Sequence, residues 1–376
     1  MMTATLPLTL LTAALTTFGA GSPSPLTPPG NPVGVERAVT TPAPGDTRFT
    51  LTARPGALRL DPGRSATVQV TAEHPEGAPA AVTLTAEGPA VGSGPEKITA
   101  VFGGPSGAAL TLTAGLDVPV GLHTITIRGR NADAEQITRV TVNVERWLLV
   151  DDDRSGNNWP ANNPDTPDSN ADQFARAALT ASGRTFEVTV VPYSGSGQDK
   201  DEPNGPAVQA LSRYSGVLWY TGNTTVHPIT DTDREQLSAY LNMDARRVLL
   251  FSPGFVRDGT TNGATPAAPR AAYAPLITRL LGLDQVAFPG AAAYALTGEA
   301  NTVTSGLTLN VTSSVRGFLR PAAGASALLK EGASVVVSGK ANVGDSGSSK
   351  AVLAALSLSH LSRTDAVTLL GKLMTF

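Results

Sequence analysis

Apolar and polar residues alternate along residues 48–145, in short segments separated by glycine- and proline-rich turns. Period-two alternation predicts half-buried β-strands, because successive side chains of a strand point to opposite faces of a sheet. The predicted strands are F-T-L-T-A at 49–53, A-L-R-L at 57–60, A-T-V-Q-V-T-A at 66–72, A-V-T-L-T-A at 81–86, A-L-T-L-T-A at 109–114, H-T-I-T-I-R-G at 123–129 and I-T-R-V-T-V-N-V at 137–144. Seven short strands in this space predict one β-sandwich over residues 47–146.

A different pattern starts at W-L-L-V-D-D-D, residues 147–153, where an apolar run ends in three acids. From here buried strands alternate with helical stretches, which predicts a mainly parallel sheet with helices on both faces. The predicted strands are 147–152, 186–192, 216–220 and 247–251, and the predicted helices are 171–182, 207–213 and 232–241. The residues after Phe251 predict a loop.

The rest of the chain predicts a helix at 270–281, a last core strand at 350–355 and a closing amphipathic helix at 363–374. Short strand-like pieces between residues 285 and 345 predict antiparallel strands that extend the sheet, and an inserted subdomain is the alternative. The second domain is therefore predicted to span residues 147–376.

The N-terminus predicts export. An apolar segment from Leu6 to Phe18 is followed by small residues, as in a secretory signal peptide, which we place at residues 1–24. No other stretch has the length and apolarity of a membrane span, so no transmembrane segment is expected in the mature chain. Residues 25–46 are rich in proline, glycine and threonine and predict an extended linker.

Composition narrows the function classes. The chain has 376 residues, a net charge of -3 and no cysteine. The near-neutral charge argues against nucleic acid as a partner. The missing cysteine excludes disulfides, thiolate metal sites and cysteine nucleophiles.

Two resemblances add expectations. The hairpin around Pro119, Gly121 and Thr124 to Ile127 resembles the Ig-like modules of secreted bacterial proteins, which implies a spacer or adhesion module. The ordered segments W-L-L-V-D-D-D, Y-S-G-V-L-W-Y-T-G-N, D-T-D-R-E-Q-L-S-A-Y-L, R-R-V-L-L-F-S-P-G and V-L-A-A-L-S-L-S-H-L resemble the flavodoxin-like domain related to class I glutamine amidotransferases. Together they imply an all-β Ig-like sandwich followed by an α/β domain with a mainly parallel sheet.

The amidotransferase resemblance implies a non-catalytic domain, because that chemistry needs an activated cysteine. Ser252 stands at the equivalent position, but G-x-S-x-G is absent and Pro253 follows directly. A triad of Ser252 with His227 or His360 and an acid is the enzymatic alternative. The segment G-D-S-G-S at 344–348 is interpreted as a surface loop.

The acids at the end of the first buried strand form the remaining candidate site. Asp151, Asp152 and Asp153, together with Asn223, are the predicted ligand-binding residues. Asp151, Asp153 and Asp168 are the predicted ligands of a Ca²⁺ ion, since hard cations take carboxylate oxygens. The alternative is that these acids cap backbone amides of neighbouring loops.

These observations predict a non-enzymatic, exported cell-envelope protein, a structural, accessory or ligand-binding subunit of a larger assembly. Its expected location is the periplasm, the cell envelope or the extracellular space. Its partners would be other envelope or surface proteins, with carbohydrate as a further ligand. The alternatives are a secreted hydrolase using Ser252 or the acids, and a Ca²⁺- or carbohydrate-binding module.

Overall fold

The structure is a computed structural model, and the chain divides into two compact units. One unit ends at Val144 and the other begins at Glu145, next to the boundary placed at 146/147 from the sequence. The predicted signal peptide at 1–24 and linker at 25–46 lie outside the described residues. Described are residues 49–74, 81–103, 108–132, 134–153, 169–192, 204–224, 227–261 and 263–376, without the side chains of 313 and 314.

Eight strands build the described part of the N-terminal unit. They are β1 (Thr50–Arg54), β2 (Ala57–Leu60), β3 (Ser65–Glu73), β4 (Thr83–Glu87), β5 (Ile98–Gly103), β6 (Ala109–Ala114), β7 (Gly121–Arg130) and β8 (Glu135–Val144). They pair in two four-stranded sheets, β1-β3-β6-β5 and β2-β8-β7-β4, whose inward side chains share one core. Only the pairing of β2 with β8 is parallel among these described strands. The sequence prediction missed β5.

The C-terminal unit starts with strands that pair in parallel. They are β9 (Trp147–Asp151), β10 (Phe186–Val190), β11 (Gly216–Tyr220), β12 (Arg247–Phe251) and, much later in the chain, β17 (Ser349–Ala354). The order in the sheet is β10-β9-β11-β12-β17. Their alternate side chains enter two cores, one on each face.

Helices cover both faces of these parallel strands. They are α1 (Asn170–Ala181), α2 (Val208–Leu211), α3 (Asp231–Leu241), α4 (Pro253–Gly259) and α5 (Arg363–Leu373). A π-helical turn, Pro275–Leu280, replaces most of the helix predicted at 270–281, and a 3-10 turn spans Leu358–His360. Helix α4 lies where a loop was predicted, with Ser252 as its N-cap and a proline in its first turn.

Long antiparallel strands complete the sheet. They are β13 (Leu283–Gly298), β14 (Thr308–Pro321), β15 (Ala325–Glu331) and β16 (Ser334–Val343). Strand β13 pairs with β14 and β15, and β16 also pairs with both, so the four strands close on themselves like a small barrel. Strand β16 joins this barrel-like part to β17.

The predicted fold class is wrong for the C-terminal unit. Its nine-stranded sheet has four parallel pairings and five antiparallel ones among the described residues, so it is not mainly parallel. Strands make up 45% and helices 19% of the structure, which is predominantly β. The physical reason is the segment 283–343, whose alternating polar and apolar residues form long antiparallel strands instead of further strand–helix units.

No helix among the described residues is long and apolar enough to cross a membrane.

Candidate functional site

The predicted ligand-binding residues follow two neighbouring parallel strands. Strand β9 ends at Asp151, and Asp151 lies opposite Tyr220, the last residue of β11. Asp152 and Asp153 follow the first strand, and Asn223 follows the second. Because carboxyl ends of parallel strands meet at one edge of a sheet, both loops lie at this edge.

The three acids are buried and hold the loops in place. Asp152 Oδ2 accepts a hydrogen bond from the indole Nε1 of Trp219 at 3.1 Å. The backbone N–H of Asp153 donates to Asp151 Oδ1 at 3.4 Å, and the carbonyl of Asp153 accepts from the hydroxyl of Thr224 at 3.2 Å. The alternative interpretation was that these acids cap backbone amides of neighbouring loops. Of the three contacts, only that of Asp151 Oδ1 with the N–H of Asp153 is a carboxylate–amide cap, and it lies within one loop.

Gly222 allows the two loops to approach each other. Its φ of +57° lies in the left-handed region. A Cβ atom at this position would lie 2.8 Å from the Cβ atom of Asp153. Only glycine meets both requirements without strain, so this residue sets the distance between the loops.

A fourth acid, Asp172 of α1, lies near the same edge. Burial, followed by the charges of Asp151, Asp172 and Asp153, raises the pKa of Tyr220 well above its usual 10.0. Asp172 Oδ1 accepts from Arg176 Nε at 2.7 Å. The fully buried Oδ2 of Asp172 has no hydrogen-bond partner among the described residues.

A metal centre is not formed by the described residues. They contain no group of three histidine, aspartate or glutamate side chains placed to hold an ion. Of the predicted Ca²⁺ ligands, Asp151 and Asp153 are buried at the edge, and Asp168 lies outside the described residues.

Asn223 meets a histidine that comes from far along the chain. Its side-chain amide is hydrogen-bonded to Nε2 of His360 in the 3-10 turn. The hydroxyl of Thr312, on β14, donates to the carbonyl of His360 at 3.1 Å and lies 3.4 Å from its Nδ1. Asn223 and Thr312 are exposed, and His360 is half-buried. We call Asn223, Thr312 and His360 the Asn223–His360 site.

Burial lowers the pKa of His360 below its usual 6.5. The neutral imidazole therefore predominates at pH 7, and it has one nitrogen that donates and one that accepts. The site offers an amide, a hydroxyl and a neutral ring. The sequence prediction included Asn223 and discussed His360 only as a triad member, and no local pattern marks Thr312.

Ser252 does not form a catalytic triad with the histidines. Its hydroxyl is fully buried, is hydrogen-bonded to the hydroxyl of Thr221 at 2.7 Å, and accepts from the N–H of Phe255 at 3.3 Å. Among the described residues neither His227 nor His360 hydrogen-bonds to it. Ser252 is therefore a helix cap, and the triad alternative has no geometric support.

His227 lies beside a different acid. Its backbone N–H donates to Asp258 Oδ2 at 2.7 Å, and its Nδ1 lies 3.6 Å from the same oxygen. Burial raises the pKa of Asp258. Arg234 stacks over the ring of Tyr273 at 4.0 Å in the same region. The sequence prediction missed this cluster, because its residues come from separate loops and helices.

The G-D-S-G-S segment is an exposed turn, as interpreted. Ser346 and Ser348 share a hydrogen bond of 2.7 Å, and Ser348 Oγ accepts from the N–H of Ala245 at 2.7 Å. Asp345 pairs with Arg279 at 2.6 Å on the surface. These contacts are those of a surface turn, and they give neither Ser346 nor Ser348 a catalytic role.

No family model matches this chain, and no curated protein matches it. Solved structures give remote likenesses. A cytoplasmic protein from Salmonella typhimurium is 10% identical with a TM-score of 0.34, over 68% of this chain and 96% of its own. A sialyltransferase from Photobacterium damsela is 13% identical with a TM-score of 0.23, over 55% of this chain and 46% of its own. At such scores neither likeness defines a fold family or an activity for this chain.

The two family resemblances taken from the sequence are therefore wrong as identifications. The predominantly β architecture, with its mixed, partly barrel-like sheet, does not support a flavodoxin-like or amidotransferase-like domain. No matching family model supports the Ig-like module by name. The short segments that suggested both families are common to many strands and turns, and a fold is not determined by such pieces alone.

Proposed function

We propose that this protein is an exported, non-enzymatic accessory subunit of a cell-envelope assembly, and that its C-terminal unit binds a peptide segment of a partner at the Asn223–His360 site. The observation that carries the proposal is the meeting of Asn223, Thr312 and His360, from three distant segments, at the edge of the sheet. Open sheets commonly bind ligands at the carboxyl ends of parallel strands.

The chemistry of the site favours a peptide main chain. An amide, a hydroxyl and a neutral imidazole are hydrogen-bond donors and acceptors without charge. Peptide N–H and C=O groups are their natural complements, and an extended segment presents both at regular intervals. The lowered pKa of His360 keeps the site uncharged at neutral pH.

The alternative of a secreted hydrolase has less support. Ser252, the only serine proposed as a nucleophile, uses its hydroxyl to cap α4 and to bond Thr221 inside the protein. A nucleophile must reach its substrate and contact a base. The buried position of Ser252 meets neither condition.

Export and assembly rest on the sequence. The apolar segment Leu6 to Phe18 with its small-residue region supports an exported protein, and the complete lack of cysteine is compatible with an oxidising compartment. The absence of a strong net charge favours protein or glycan partners over nucleic acid.

The test uses the full chain expressed in its native host, with size-exclusion chromatography of gently extracted envelope fractions. We expect the wild-type protein in a larger assembly. A photo-crosslinking residue at Asn310, which is exposed on β14 two residues before Thr312 and leaves the site residues in place, should label one partner protein on an identifiable peptide. The same crosslinker at Asn301, an exposed turn of the same unit, should not label it.

Two variants test whether the association depends on the Asn223–His360 site. Asn223→Ala and His360→Gln should each weaken the association about tenfold, the loss expected for one or two hydrogen bonds. His123→Gln, the matched change in the N-terminal unit, should leave the association unchanged. A free monomer in wild-type envelope extracts would overturn the proposal.

A further inference from the structure

A polar groove of about 490 Å³ lies on the N-terminal unit, whereas the Asn223–His360 site belongs to the C-terminal unit. Its polar lining comes from three neighbouring strands and one turn. These residues are Thr83 and Thr85 of β4, Arg128 and Arg130 of β7, Asn131 after β7, and Glu135 of β8. We call this feature the Arg128 groove.

The strand register places these side chains on one face of the sheet. Thr85 lies opposite Arg128, and Thr83 lies opposite Arg130. On the other side of β7, Arg130 lies opposite Glu135. Paired residues of adjacent strands share a face, so a row of hydroxyl groups runs beside a row of guanidinium groups. The neighbouring residues Ile125 and Ile127 point into the core.

Ion pairs connect the three strands at the centre of the groove. Arg128 Nε is hydrogen-bonded to the carboxylate of Glu87 on β4, and Arg128 Nη1 donates to Glu135 Oε1 at 2.6 Å on β8. One guanidinium therefore ties three adjacent strands together. Side chains that are already ordered lose less entropy when a ligand binds.

The charges of the groove indicate a neutral ligand. Arg128 is ion-paired with Glu135 in the lining and with Glu87 beside it. Arg130 adds one positive charge, so these four side chains together carry no net charge. An anion or a cation therefore gains little net attraction. What the groove presents is a dense set of donors and acceptors: guanidinium N–H groups, carboxylate oxygens and threonine hydroxyls.

Neighbouring hydroxyl groups of a sugar ring match such a set, because each hydroxyl both donates and accepts. Ile137, which lies opposite Arg128 and is 44% exposed, supplies an apolar surface beside the groove for the C–H face of a ring. Small-ligand sites have volumes of roughly 300–1,000 Å³. The volume of the Arg128 groove is within that range.

We propose that the Arg128 groove binds a short, uncharged oligosaccharide. This site is separate from the Asn223–His360 site and adds a second binding activity to the chain. The N-terminal unit would then attach the protein to envelope or extracellular glycan, whatever the C-terminal unit binds.

The test is isothermal titration calorimetry of the full chain with cellotriose, maltotriose and N,N′,N″-triacetylchitotriose, each at low and high NaCl. We expect at least one of the three to bind with a dissociation constant tighter than about 10 mM and with little salt dependence. Tri-galacturonic acid, of similar size but negatively charged, should bind more weakly than the neutral sugar.

Two groove variants and a matched control locate the binding. Arg130→Gln and Thr85→Val should each weaken binding about five- to tenfold, because the first replaces a guanidinium with a shorter amide and the second removes a hydroxyl at nearly constant side-chain size. Arg139→Gln, on the same face of β8 but outside the groove, should leave the affinity unchanged. Arg130 and Arg139 are exposed, so neither arginine variant should affect folding. Unchanged melting temperatures would verify this.

Three results would overturn the proposal. The first is that none of the three neutral sugars binds. The second is that Arg130→Gln and Thr85→Val leave the affinity unchanged. The third is tighter binding of tri-galacturonic acid than of the neutral sugars, with that preference lost at high salt. Asn223→Ala should leave sugar binding intact, so failure here and failure of the peptide-binding proposal are separate outcomes.

Discussion

At the scale of single residues, chemically suggestive side chains have structural partners. Ser252 illustrates this, because a serine after a buried strand is equally suited to be a nucleophile or a helix cap. Its contacts with Phe255 and Thr221 make it a cap. His360 is the opposite case, since an unremarkable histidine in a serine-rich segment becomes the centre of a polar site.

Replacing Ser252 should therefore affect stability. Ser252→Ala removes a helix cap and leaves the buried Thr221 hydroxyl without this partner, and we expect a loss of about 1–3 kcal/mol in the free energy of unfolding. Ser362→Ala removes the cap of α5 at an exposed position and should cost less. Urea unfolding of both variants measures the difference. Equal losses would contradict a buried hydrogen bond at Ser252.

His360 should make stability depend on pH. Its folded-state pKa is below the usual 6.5, so the unfolded chain binds the proton more readily. The contribution of neutral His360 is present above pH 6.5 and is lost as the pH falls through the lowered folded-state pKa.

Thermal unfolding between about pH 8 and about pH 5 can measure this effect. Acidification should lower the melting temperature of the wild type more than that of His360→Gln. The control His123→Gln should retain the wild-type difference. A wild-type slope in His360→Gln would refute the contribution of this residue.

At the scale of elements, the loops after β9 and β11 depend on a close backbone approach. Gly222 has a left-handed φ and faces the Cβ atom of Asp153. The contacts of Asp152 with Trp219 and of Asp153 with Thr224 then hold these loops together. This edge of the sheet is therefore ordered by hydrogen bonds between the ends of two neighbouring parallel strands, β9 and β11, and the loops that follow them.

A pair of glycine variants separates steric contact from backbone strain. Gly222 and Gly332 both have a φ of +57°, but a Cβ atom at Gly332 would have no neighbour within 4 Å. Gly332→Ala should cost about 1 kcal/mol, the strain of a left-handed alanine. Gly222→Ala should cost about 1–2 kcal/mol more, because the loop must also move away from Asp153. Similar losses in urea unfolding would show that the contact has no effect.

At the scale of the whole molecule, the two units have different constructions. In the part of the chain that the structure describes, the N-terminal unit has two four-stranded sheets around one core, and the C-terminal unit has a single mixed sheet with two cores. The proposed functions follow this division, with a glycan-binding groove on one unit and a peptide-binding site on the other. Neither proposed site requires a chemical reaction.

Activity-based labelling tests this view of the whole chain. A fluorophosphonate probe for serine hydrolases should not label the native protein, because the candidate nucleophile Ser252 is inaccessible and no histidine contacts it among the described residues. A chemically denatured sample is the control for nonspecific labelling. Specific labelling that Ser252→Ala abolishes would establish the hydrolase alternative instead.

The local elements could be predicted from the sequence to the extent that each depends on its own residues. Alternation over 109–114 indicates the strand that becomes β6, and the apolar run at 147–151 indicates β9. Thr230 and Asp231 are both candidate N-caps in the sequence, with acids in the turn that follows, and the structure shows Thr230 as the cap of α3. Such signals are local, because a strand or a helix end is encoded by residues close together in the chain.

The sequence by itself determined the strand-rich N-terminal region, the buried strands after Arg146 and the lack of cysteine chemistry. Only the tertiary structure decided how β13 to β16 close on one another and that Ser252 is enclosed. It also decided that Asn223 meets His360, 137 residues later. The reason is physical: strand pairing, burial and hydrogen bonding between distant residues depend on the folded arrangement of the whole unit, and no local pattern encodes their distances.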